Sequence, residues 1–121
     1  MQLGDTFVWS PEGRTPHLYI VISDPSKNGK FVVVNLTNSN HGAMSFTLQK
    51  GDHPFIYKDS DVNFGDAMVV DMARMQTEIN LKNAIPNFTM ALTIVQRIAI
   101  KAMDHPAVSG EIQDVLSAEW Q

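Results

Sequence analysis

The chain has 121 residues, nine Lys plus Arg against thirteen Asp plus Glu, a net charge of −4 and no cysteine. That length suits one domain with its own core. The missing cysteines exclude disulfides and thiolate metal sites, and the acidic balance works against nonspecific nucleic-acid binding, which depends on phosphate neutralisation. The opening residues Met1-Gln2-Leu3-Gly4-Asp5 show neither the basic region nor the apolar run of a secretion signal. No apolar run approaches about 20 residues, so the expectation is a cytoplasmic protein with no membrane span.

In chain order, residues 5–10 (DTFVWS) read as a short first strand. A loop broken by Pro11 and Pro16 follows. Residues 17–23 and 30–37 are rich in β-branched and aromatic side chains and flank Asp24-Pro25-Ser26-Lys27-Asn28-Gly29. Asn-Gly tolerates positive φ, so this stretch predicts a β-hairpin. Both runs are nearly continuous in apolar residues, which predicts a central pair covered on both faces. Residues 38–42 form a second loop. Residues 45–49 alternate and predict a strand, and a turn at residues 50–54 leads into a short extended piece at 55–57. Residues 59–61 read as a turn. Residues 67–75 fit a strand or a short helix, and the strand is preferred. Helical spacing of Phe88, Leu92, Val95, Ile98, Ala99 and Ala102 predicts a helix over 87–103 capped by Asn87. His105-Pro106 ends it. A last helix over 109–119 begins at Ser109.

The hairpin pattern also selects a register. If residues whose numbers sum to an even value face each other, Leu18, Ile20 and Ile22 share an apolar face with Val32, Val34 and Leu36. The other parity buries Asn35 and Thr37 among isoleucines. A one-residue slip moves every side chain to the opposite face, so even parity is expected, with an odd-length loop and a bulge at Gly29. His17, Asn35 and Thr37 then share one face near the open end. About five strands and then two helices predict an α+β fold, mainly β: a small barrel-like or strongly bent sheet with helices packed on it. One domain spans 1–121, with the barrel in 1–75 and the packed helices in 86–121.

The first strand, the proline-broken loop, HLYIVISDP, KFVVVNLT and the downstream GDHPFI resemble the PemK/MazF-like toxins of bacterial toxin–antitoxin systems, over roughly residues 4–70. The likeness is nearest to a divergent branch that carries a GDHPFI segment. It implies an SH3-like barrel, a homodimer, a small antitoxin protein as partner, and endoribonuclease activity on single-stranded RNA. Typical members place an arginine at the entry to the second strand and a threonine or serine at the end of the third. Thr37 matches the latter. At the former this chain has His17, with Arg14 three residues earlier.

Metal-free RNA cleavage needs a base for the 2′-hydroxyl, an acid for the leaving oxygen and donors for the phosphorane. Histidine suits the acid and base roles. His17, Thr37 and His53 are therefore the catalytic candidates, His53 on the condition that its turn folds against the open end of the hairpin. Asn35 joins them as a neutral donor, and Arg14, Lys27 and Lys50 as a basic patch for the RNA backbone. His41, His53 and His105 lack a metal-site spacing, so neither metal nor cofactor is expected. The competing reading, motivated by the charge and the missing arginine, is a non-catalytic SH3-like module or regulatory subunit that binds a protein or an RNA. In a variant of it, the C-terminal helices form the partner interface.

Overall fold

The computed structural model describes residues 1–39, 42 and 44–121. Among the described residues the strands and α-helices in chain order are β1 (Thr6–Trp9), β2 (His17–Val21), β3 (Lys30–Asn38), β4 (Thr47–Leu48), β5 (Ser60–Asp71), α1 (Met72–Asn80), β6 (Ala84–Asn87), α2 (Leu92–Met103) and α3 (Gly110–Trp120). The six strands form one antiparallel sheet in the order β4-β5-β3-β2-β1-β6. The sheet curls into a half-barrel, and with the three helices it makes an α+β fold. β4 and β6 are its two edges.

The β2–β3 hairpin sits at the centre in the register expected from its pattern. Tyr19 faces Asn35, Ile20 faces Val34 and Val21 faces Val33. Even parity requires an odd loop, and the chain supplies it with Gly29 at φ +75°. The Ser26 N–H donates to Asp24 Oδ1 (2.9 Å) and the Lys30 N–H donates to Asn28 Oδ1 (3.0 Å), so two side chains shape the turn. These bonds to Ser26 hold the Asp24 carboxyl below its ordinary range.

Each face of the hairpin enters its own core. Leu18, Ile20, Ile22, Val32, Val34 and Leu36 pack with Val95, Ile98, Ala99 and Ala102 of α2 and Ile112 and Leu116 of α3. Tyr19, Val21, Phe31 and Val33 pack with Phe7, Trp9 and Met75 of α1 on the other side. Phe7 and Tyr19 stack with centroids 5.8 Å apart, and the Arg74 guanidinium lies 5.3 Å over the Trp9 ring. Glu78 Oε1 accepts from Trp9 Nε1–H (3.1 Å). With a second bond from Asn83, this lowers the Glu78 carboxyl from its ordinary value.

Several boundaries differ from the sequence expectation. Residues 55–57 are turn and bend, and residues 60–61 begin β5. Polar residues inside β5 disguised it: Asp61 is buried, and its Oδ1 accepts from Ser39 Oγ (2.9 Å) and Thr47 Oγ1 (2.6 Å). Residues 67–75 are half strand and half helix. Asp71 ends β5 and caps α1 by accepting from the Arg74 N–H (2.7 Å). The expected helix over 87–103 starts only at Leu92, because residues 84–87 pair with β1 instead. Pro86, which suggested a helix start, sits in an edge strand, where a missing N–H costs little. The last helix is as expected, with Ser109 Oγ accepting from the Ile112 N–H (3.4 Å).

Candidate functional site

At its open end the hairpin stops pairing backbone to backbone. Beyond Tyr19↔Asn35 no further β2–β3 pair forms, and the His17 ring fills the gap, 3.0 Å from the Leu36 carbonyl through Nδ1. A carbonyl only accepts, so Nδ1 carries a proton, and in the neutral ring the lone pair is on Nε2. His17 is half-buried; Thr37 is exposed. Both line a cavity of about 270 Å³ completed by Leu18, Leu36, Phe55, Tyr57, Lys58 and Ser60. Phe55 is 44% and Tyr57 73% exposed. The Lys58 ammonium lies 5.5 Å from the Tyr57 ring centroid.

The cavity thus gathers an imidazole in a defined tautomer, two hydroxyl side chains, one cation and two open aromatic rings. Such a set can take a proton from a hydroxyl, steady an anion and stack a planar group.

His53 is placed elsewhere. It is 2% exposed and does not line this cavity. Its Nδ1 accepts from the Phe55 N–H (3.0 Å), and its Nε2–H donates to the Phe88 carbonyl. Thr6 Oγ1 lies 3.2 Å from the same Nε2. Both ring nitrogens are engaged in holding the fold. Asn35 is buried beside the site, in register with Tyr19 and Asn63. Its Nδ2–H donates to Asp66 Oδ2 (3.2 Å), and its Oδ1 has no hydrogen-bond partner among the described residues. This lies where β5 bulges, with residues 64–67 inserted between the Asn35↔Asn63 and Val33↔Met68 pairs.

The basic candidates do not converge. Arg14 is exposed in the loop before β2 and does not line the cavity. Lys27 sits at the opposite, turn end of the hairpin, in a separate cavity of about 390 Å³ against α3. Lys50 is exposed in the turn after β4. The cation that does line the cavity is Lys58, which sequence reasoning passed over together with Tyr57. Their signal was an aromatic residue beside a lysine in a predicted loop, too common a pair to stand out. His41 lies outside the described residues. Among the described residues, no group of three or more His, Asp or Glu is arranged to hold a metal.

No family model and no curated protein matches this chain. The functional reading therefore rests on the residues themselves. Among the described residues no helix is long and apolar enough to cross a membrane.

Proposed function

We propose that this chain is a PemK/MazF-like, SH3-like barrel toxin that cleaves single-stranded RNA without metal, at the cavity between His17 and Thr37. The observation that carries the reading is the gathering of His17, Thr37, Lys58 and Tyr57 around one cavity at the open end of the hairpin. In this reading Tyr57 and Phe55 stack the bases of an unpaired strand, which suits single-stranded RNA. His17 Nε2 takes the proton from a ribose 2′-hydroxyl. The 2′-oxygen attacks phosphorus, the bond to the 5′-oxygen breaks, and the leaving oxygen takes a proton from a water that recovers one from the protonated His17. A 2′,3′-cyclic phosphate and a 5′-hydroxyl result. Lys58 and the Thr37 hydroxyl face the charge that builds on the phosphorane. A homodimer and an antitoxin partner belong to the same proposal.

One observation favours a second reading. With His53 bound into the fold, His17 is the one imidazole that lines the cavity among the described residues. A single titrating group fits a binding module as well as a nuclease. Incubation with mixed single-stranded RNA and a chelator separates the two. The nuclease reading expects cleavage to cyclic phosphate ends, lowered about 100-fold in His17→Ala, the scale of one lost acid or base. Binding without cleavage supports the module. Cleavage unchanged in His17→Ala removes His17 from the mechanism.

A further inference from the structure

The tripeptide Asp-His-Pro occurs twice, at residues 52–54 and 104–106. The two histidines are used alike. His53 Nδ1 accepts from the N–H two residues on, at Phe55 (3.0 Å), and His105 Nδ1 accepts from the N–H of Ala107 (3.1 Å). His53 Nε2–H donates to the distant carbonyl of Phe88, and His105 Nε2–H donates to that of Met44 (3.1 Å). Both rings are buried, and His105 also stacks on Phe64 at 4.5 Å. Each ring thus shapes its own turn through one nitrogen and fastens it to a remote strand of chain through the other.

What the two turns fasten is specific. Between residues 49 and 59 only His53 and Ile56 are buried, yet this segment supplies Phe55, Tyr57 and Lys58 to the cavity at His17. His105 holds Met44, and both line a second cavity, of about 500 Å³, with Ser45, Asp61 and Thr37. Thr37 borders both cavities.

We propose that His53 and His105 are positioning residues: twin Asp-His-Pro clasps that hold the segments on either side of Thr37 in place for a single-stranded RNA. The RNA part of this inference rests on the function proposed above; the clasps do not. His53 neither touches the reacting groups nor exchanges a proton with them. It fixes the aromatic wall against which the RNA stacks.

The experiment reads amide hydrogen exchange at Phe55 and Ala107 beside RNA kinetics in the wild type, His53→Ala, His105→Ala and His17→Ala. An amide released from a buried acceptor exchanges faster by about 10-fold or more. His53→Ala is expected to speed Phe55 by that factor and leave Ala107 unchanged; His105→Ala does the reverse. With RNA, His53→Ala raises KM and leaves kcat nearly unaltered, while His17→Ala lowers kcat and leaves Phe55 exchange at its wild-type rate. If the alanine variants do not fold, His53→Asn and His53→Gln, which each keep one of the two bonds, make the same comparison. Unchanged Phe55 exchange in all His53 variants overturns the clasp. So does a loss of kcat in them equal to that of His17→Ala. Faster Phe55 exchange with no RNA bound or cut by the wild type upholds the clasp and removes the RNA reading alone.

Discussion

The two ends of the β2–β3 hairpin are built by different means. At the turn end, backbone and helix do the holding: Trp120 Nε1–H donates to the Ile22 carbonyl (2.9 Å), and both Glu119 carboxylate oxygens accept from the Asp24 N–H (2.8 and 2.9 Å). At the open end, polar side chains replace the ladder. His17 substitutes for a backbone pair, Asn35 Oδ1 has no partner among the described residues, and Thr37 is exposed. A buried acceptor without a partner costs stability. Between the two ends, residues 18–22 and 31–34 are buried and apolar throughout, so the polar groups of the open end stand out against them.

Substitutions sharpen the contrast in descending order of effect. Ile20→Ala, in the fully buried centre between the ends, is expected to cost about 2–5 kcal/mol in denaturant unfolding. A cost under about 1 kcal/mol shows that the two cores are not packed as described. Gly29→Ala, at φ +75°, costs about 1–2 kcal/mol at the turn, and little or no cost sinks the left-handed assignment. Trp120→Phe keeps most of the ring and loses the bond to Ile22, for about 0.5–1.5 kcal/mol. Thr37→Val, at the open end, leaves stability within about 0.5 kcal/mol and lowers RNA turnover. If Thr37→Val destabilises as much as Trp120→Phe, the two ends are not built differently.

Acid provides one more handle, well away from both ends. The Glu78 carboxyl titrates below its ordinary value of 4.5 because Asn83 and Trp9 donate to it. A group whose folded value is lowered stabilises above its unfolded value and loses that contribution as pH falls through the folded one. Glu78→Gln is therefore expected to flatten the acid limb of a stability–pH curve below about 4.5 and leave the slope above it alone. An unchanged acid limb removes Glu78 from the account.

The hairpin was legible in the sequence because register is a local matter: side chains alternate, so Asn35 and Thr37 among valines decide the parity. α3 was legible for a similar reason, since Ser109 marks its start. The second half of β5 was legible as a strand over 67–71, but its first half and β6 were not. Asp61 is tolerated inside β5 with Ser39 and Thr47 donating to it from other parts of the chain. Residues 84–87 read as a helix start until β1 offered them a ladder. The site divided in the same way. His17 and Thr37 meet across one hairpin and were found together. Lys58 and Tyr57 reach them only through a turn whose placement depends on the distant carbonyl of Phe88, and His53 changed role for that reason.

The sheet's two borders carry a consequence for association. β4 contributes only Thr47 and Leu48, and β6 is four residues long with Pro86 inside it. β5, however, runs on past β4: among the described residues, 63–71 have no ladder partner on that side, and unpaired strand borders are what intermolecular strand addition uses as a template. Short and interrupted by Pro86, β6 is the border less suited to such addition, and copies of this chain are thereby steered away from stacking on it.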